Sequence, residues 1–207
     1  MKDTRPTADL RRRSFLKTML SSAAFAGLGG LPALAQASTP QEQYVKGIAN
    51  NVMNLANGSV RGGALKSQFV SLLNRHSDVR GLALFSLGQY QKELPPGRKN
   101  EYFKLVVDYA AGLFVYYIDD FAASDLDIRS SRPQGKAVII DSAMRFPSGS
   151  KSPVKWRVVK AGGGYRVSDV NVRGIWLSLQ MREKFVSVLR DNKGNFDALL
   201  KFLRNNA

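Results

Sequence analysis

The 207-residue chain contains no cysteine and a single histidine, His76. Without thiols, disulfide scaffolds, iron-sulfur clusters and Cys nucleophiles are excluded, and one imidazole is too few for a zinc finger or a His-rich metal centre. Only carboxylate sites for hard cations stay open. Acidic residues are scarce as well: 16 Asp plus Glu face 31 Lys plus Arg, for a formal net charge of +15. A charge of that size points to nucleic acid, an anionic membrane surface or an acidic partner, without choosing among them. The remaining composition, 44% hydrophobic and 23% charged, is that of a globular chain of one domain.

The first 35 residues read as an address. Arg11-Arg12-Arg13-Ser14-Phe15-Leu16-Lys17 resembles the core of the twin-arginine export motif. The apolar stretch after it, Met19 to Leu34, is broken by Gly27, Gly29, Gly30 and Pro32, too short and interrupted for a membrane span. Ala33-Leu34-Ala35 offers the small-x-small cleavage pattern, with Ala35-Gln36-Ala37 as a second cut ending at residue 37. Removal of residues 1–35 takes away six basic and two acidic side chains, leaving 25 against 14 and a net charge of +11. The expected location is the periplasm, which argues against nucleic acid as a partner.

In the mature chain the first half carries helical spacing. Tyr44, Val45, Ile48, Val52 and Leu55 mark a helix over 41–57 ending at Gly58, and Leu65, Phe69, Leu72 and Leu73 mark a second over 64–75. Asp78 caps a third running through Leu87. Leu94-Pro95-Pro96-Gly97 ends that run, and a long helix follows from about Arg98 to Phe121. Past Ala123 the period changes to two. Leu126 and Ile128 make an edge strand, and 136–146 alternates Val138, Ile140, Ser142, Met144 and Phe146 against Ala137, Ile139, Asp141, Ala143 and Arg145. Val154, Trp156 and Val158 mark the next strand, Gly162-Gly163-Gly164 a hairpin turn, and 165–172 the returning strand. Helices around 181–189 and 196–203 close the chain. The order predicts an α+β fold, a curved antiparallel sheet covered by helices, with helical additions at both ends.

Few residues offer chemistry. His76-Ser77-Asp78 has the residue types of a hydrolase triad, but sequence neighbours rarely meet its geometry and a helix end with a cap explains them better. Asp119, Asp120, Asp125 and Asp127 form an acidic cluster without the spacing of a calcium loop. Asp141 and Asp169 lie within the sheet and are candidate general bases, Asp141 on the outer face and Asp169 on a face with Tyr165 and Val167, opposite Ser168, Val170 and Val172. A structural tie to an Arg or a backbone turn suits Asp169 better. Between Arg129 and Arg173, ten basic residues face only those two acids, so the outer side of the sheet should form a basic plate, with Arg145, Lys155 and Arg157 as docking residues.

Several motifs in order resemble one family. Leu84-Phe85-Ser86-Leu87-Gly88-Gln89-Tyr90, then Leu94 to Arg98, then Tyr102-Phe103 is similar to the helical signature of MlaC, the toluene-tolerance type periplasmic phospholipid-binding proteins. Val154-Lys155-Trp156-Arg157-Val158, Gly163-Gly164-Tyr165-Arg166-Val167 and Asp169-Val170-Asn171-Val172-Arg173-Gly174 resemble its hairpin and following strand. Arg182, Phe185, Leu189, Gly194, Leu199, Leu200 and Leu203 resemble its ending, so the likeness spans 41–205 as a single domain. Arg173 stands where the family has an acid, and Gly174-Ile175-Trp176-Leu177-Ser178 replaces its Gly-Val-Ser stretch.

The resemblance implies a nuclear-transport-factor-2-like fold holding phospholipid tails in an apolar cavity between sheet and helices. It implies a non-enzymatic shuttle with no cofactor, the bound phospholipid being cargo. Its partners would be an inner-membrane ABC transporter complex and an outer-membrane MlaA-type lipoprotein complex, with transient membrane contact, in the upkeep of outer-membrane lipid asymmetry. The expected lining is Leu84, Leu87, Phe114, Tyr117, Val138, Ile140, Met144, Trp156, Val158, Val170 and Val172, with the headgroup in water at the mouth. A hopanoid or other lipid cargo, and a small hydrolase or isomerase using Asp169 or Asp141, are the competing readings.

Overall fold

Thr39 opens the first helix, α1 (Pro40–Asn57), with a reciprocal cap: its Oγ1 accepts from the Glu42 amide at 3.2 Å, and Glu42 Oε2 accepts from the Thr39 amide at 2.9 Å. A computed structural model describes residues 38–123 and 125–207, apart from the side chain of Asp120. The export signal read at residues 1–35 lies outside the described residues. After α1 come α2 (Gly62–His76) and α3 (Val79–Ser86), the latter capped by Asp78, which accepts from the Gly81 amide at 3.1 Å. Two 3₁₀ turns, Gly88–Glu93 and Pro96–Arg98, lead into α4 (Lys99–Tyr116). The long helix stops at Tyr116, and Ile118–Phe121 tightens into a 3₁₀ turn.

The sheet follows: β1 (Asp125–Gln134), β2 (Ala137–Arg145), β3 (Lys151–Ala161), β4 (Gly164–Val172) and the short β5 (Ile175–Trp176). All neighbours are antiparallel in the order β1-β2-β3-β4-β5. Gly162 and Gly163 take φ of +57° and +76°, the left-handed pair that a two-residue hairpin needs, so the triple glycine is a turn between strands. Two helices finish the chain, α5 (Leu177–Asp191) and α6 (Phe196–Asn205), the second capped by Asn195.

Alternation misplaces one strand. Arg157 pairs with Asp169 but Val158 pairs with Val167, so Ser168 is an extra residue in β4, a β-bulge. The bulge resets the phase. Tyr165 and Val167 therefore join Val170 and Val172 on the inner face, while Asp169 turns outward with Asn171. A second irregularity between Ile128 and Ser130 lets β1 bend in the same way.

Three apolar clusters result. Val45, Ile48, Ala49 and Met53 of α1 cover the inner face of the sheet on Leu126, Ile140, Met144, Val154, Trp156, Val158 and Val167. The helical block builds its own cluster from Leu87, Tyr102, Leu105, Val106, Phe185, Leu189, Leu199, Leu200 and Leu203. Ala56, Leu65, Phe114 and Ile118 form a third, smaller one. α3 and α5 lie against β4, which joins the sheet to the helical block.

Tyr102 ties α4 to α3: its ring is fully buried, and its hydroxyl donates to the Ala83 carbonyl at 2.7 Å. Burial raises its phenol far above the ordinary value. Below the unfolded value of about 10 this group is neutral in both states and stability is complete. At higher pH the unfolded chain releases a proton that the folded one retains, so stability falls. Tyr102→Phe is expected to cost about 1 kcal/mol at neutral pH through the orphaned carbonyl, and to remove part of the alkaline loss. Urea titrations at pH 7 and pH 11 measure both; equal losses for the two proteins between these pH values would remove Tyr102 as the cause.

Candidate functional site

Where the helical block meets β4, the side chains leave an apolar cavity of about 60 Å³. Leu73 and Ser77 border it from the end of α2, Val79 and Leu82 from α3, Val106, Val107 and Ala110 from α4, Leu177 from α5, and Val167, Ser168, Asp169 and Val170 from the bulged part of β4. Its walls belong to two different clusters. Leu82, Val106 and Leu177 pack with the helical cluster, whereas Val167 and Val170 pack with the sheet cluster. The cavity is thus a seam between two separately packed cores.

Its single carboxylate is not free. Asp169 is 4% exposed; its Oδ1 accepts from the Ser178 amide at 3.1 Å and the Val170 amide at 3.0 Å. Its Oδ2 accepts from the Ser178 hydroxyl at 2.5 Å and faces Arg157 Nη1 at 3.5 Å. Trp176 caps α5 without a side-chain bond, so Asp169, reaching across from β4, satisfies the first turn of that helix. What the seam supplies is apolar burial, not a general base.

The predicted lining residues fall into separate places. Val138, Ile140, Met144, Trp156, Val158 and Val170 share the sheet cluster beneath α1. Leu84 and Leu87 belong to the helical cluster. Phe114 lies in the third, stacked on Phe69 with ring centroids 3.8 Å apart. Val172 sits opposite Val154 near the end of β4, outside all three. Tyr117, at the end of α4, is half exposed with its ring edge-on to Tyr116, so the structure does not bring it to the interior. Of the eleven, only Val170 borders the cavity. Trp156 is held by core bonds: its Nε1 donates to Ser142 Oγ at 3.0 Å, and Ser142 donates to the Val154 carbonyl at 2.8 Å. The cavity residues that sequence reasoning missed, Leu73, Leu82, Val106, Val107 and Val167, all carried the right apolar periodicity. Nothing in it marked them as facing a space and not a neighbour.

The basic plate can be placed residue by residue. Arg145, Lys155 and Arg157 do lie on the outer face, opposite or beside acids that the sequence separates widely. Arg145 grips Asp127 at 2.5 and 2.6 Å, with Lys151 at 3.5 Å from the same carboxylate. These partners hold the Asp127 carboxyl below its usual value, Arg145 foremost. Lys155 sits 3.2 Å from Asp141, which also pairs with Arg132. Arg157 pairs with Asp169 and lies 4.5 Å over the Trp176 ring. Cross-strand pairing therefore ties the three to the fold, and Arg129, Lys136 and Lys160 are among the exposed cations around them. Among the described residues no group of three or more His, Asp or Glu is placed to hold a metal ion.

A larger hollow of about 360 Å³ opens at the surface beside Glu93, Pro95, Arg98 and Gly194 to Asp197. Arg98 there is already paired with Glu101 at 3.2 Å and Asp197 at 2.8 Å. None of the described helices is long and apolar enough to cross a membrane.

The model of the family described as MlaC protein matches residues 48–205. Among solved structures, the chain is similar to the phospholipid-binding protein from Ralstonia solanacearum in complex with a phospholipid, with a TM-score of 0.67 and 17% identity over 82% of this chain and 97% of that one. No curated protein matches the chain.

Proposed function

The chain belongs to the MlaC family, and from that premise we propose that it binds a phospholipid by its acyl tails in the seam between helical block and β4. In this reading it carries the lipid through the periplasm between an outer-membrane MlaA-type lipoprotein complex and an inner-membrane ABC transporter, and residues 1–35 serve as its export signal. One observation carries the proposal: every residue that borders the seam falls inside the stretch matched to the family. A protein of the same fold from Ralstonia solanacearum is itself a phospholipid binder, which supports the choice of cargo.

The physics is that of transfer. Each methylene exposed to water costs about 0.8 kcal/mol, so a two-tailed lipid needs an apolar enclosure throughout its passage. A cavity of about 60 Å³ is far below the roughly 300–1,000 Å³ of ordinary ligand pockets, so binding requires the seam to part. Parting it separates two clusters that each keep their own packing, and the entering tails take over the dispersion attraction that the two faces had supplied to each other. Asp169 is occupied by Ser178 and Arg157, and Asp141 by Arg132 and Lys155, which weighs against the hydrolase or isomerase reading.

Native mass spectrometry of the protein purified from its own periplasm, followed by solvent extraction, tests the cargo. A phospholipid released in near-equal amount is the expected result. A polycyclic lipid would transfer the assignment to hopanoid cargo, and protein that emerges empty and takes nothing from vesicles would end the carrier reading.

A further inference from the structure

At one end of the seam, helix and strand meet through backbone. Ser77 bridges Val167 in parallel, and the Asp78 amide donates to the Val167 carbonyl at 2.9 Å. Ser77 and Val167 border the cavity, so the residues just before them, His76 and Arg166, stand beside its edge. Tyr44 of α1 closes the same corner. Its hydroxyl lies 3.3 Å from His76 Nδ1 and 3.2 Å from the His76 carbonyl, and its ring centroid is 5.7 Å from those of both His76 and Tyr165.

We propose that Arg166, Tyr44 and His76, with Arg75 beside them, form a phosphodiester site that holds the phosphate of the bound phospholipid. The inference rests on the carrier reading and goes beyond it, because it takes the headgroup phosphate out of bulk water. The donor set fits a phosphate. A guanidinium presents several N–H groups in a planar fork suited to phosphate oxygens, and the His76 ring adds a neutral Nε2–H donor when its Nδ1 accepts from the Tyr44 hydroxyl. Arg166 spends Nη1 on the carbonyl of Tyr165, whose ring packs against Tyr44, and its charge acts on the Tyr44 phenol.

The corner carries positive charge without a local acid. The carboxylates nearest in sequence are both engaged, Asp78 by the Gly81 amide and Glu42 by the Thr39 amide. Neither Arg75 nor Arg166 is in an ion pair among the described residues. Burial, then Arg75, then Arg166 depress the His76 imidazole, so repulsion here lacks a counter-charge that an anion would provide. Burial keeps the Tyr44 phenol neutral, so its proton stays on the hydroxyl that holds His76 in place. A site that reads only the phosphodiester is blind to what lies beyond it. It accepts any phospholipid yet discriminates against lipids with the same tails and no phosphate.

His76 is the sole histidine, so in tag-free protein one ring signal reports the corner by NMR titration. Four states are compared: lipid-free, loaded with phosphatidylglycerol, loaded with the matching diacylglycerol, and in inorganic phosphate. The expected result is a titration midpoint raised by phosphatidylglycerol and left in place by diacylglycerol. Arg166→Gln should weaken phosphatidylglycerol binding about tenfold while sparing diacylglycerol, with Arg166→Lys recovering part of the loss. Phosphatidylglycerol that binds without moving His76, and binds Arg166→Gln as well as the native protein, overturns the site and leaves the carrier intact. A midpoint moved by inorganic phosphate but not by the loaded phospholipid also overturns it, in favour of a free-phosphate site. Failure to load either lipid removes the carrier reading, and this inference with it.

Discussion

Asp169→Ala is expected to lower stability by about 3 kcal/mol, because one buried carboxylate is the partner of Arg157 and of the first turn of α5. For a domain of this size that corresponds to a fall in Tm of about 10 °C. The loss has two sources. Removing the acceptor leaves the Ser178 amide and hydroxyl without a partner in a buried place, and it leaves Arg157 held over Trp176 without its counter-charge. Arg157 is about a third exposed and regains water, which keeps the loss at the low end for a broken buried pair. Asp169→Asn, which keeps one acceptor, should lose less. Calorimetry and urea midpoints decide the matter: a loss under about 1 kcal/mol for the alanine variant would mean that Asp169 does not hold α5 to the sheet.

Ala110→Phe is expected to leave a folded protein that retains less than about a tenth of the native amount of phospholipid, a change worth about 1.4 kcal/mol or more in binding. Ala110 borders the seam from α4, and a phenyl ring placed there fills the space between Val107 on its own helix and Val167 and Val170 on β4. Overpacking of this kind costs about 1–3 kcal/mol, which a domain of ordinary stability survives. Circular dichroism establishes folding, and lipid extraction after purification measures retention. Native retention by a folded Ala110→Phe protein would place the tails elsewhere, with the sheet cluster beneath α1 as the next place to probe.

The fold was largely legible because each segment announces its own period. The spacing of Val45, Ile48 and Val52 sets α1 on the sheet, and the alternation through Val154, Trp156 and Val158 sets β3 facing it. The change of period after Ala123 marks the boundary between helices and sheet. The site was less legible. An apolar residue that packs on a neighbour and one that faces a seam carry the same pattern, so Ile140 and Val167 look alike although only the second borders the cavity. The bulge hid a further part: strict alternation through Ser168 puts Asp169 on one face with Val167, and its link to Ser178 is invisible. Ion pairs across strands, such as Arg145 with Asp127, depend on register and therefore do not emerge from counting charges along the chain.

The bulge at Ser168 also sets which genetic changes β4 can absorb. Without that one residue, the segment from Tyr165 to Val172 would alternate strictly, and every remaining side chain would keep its present face. A single-codon deletion there would therefore spare the core, whereas deletion of any neighbour on either side would shift part of the strand by one place. What the deletion would remove is the bend beside the seam. Length at this position thus bears on the shape of the seam, while length elsewhere in the strand bears on whether the sheet forms.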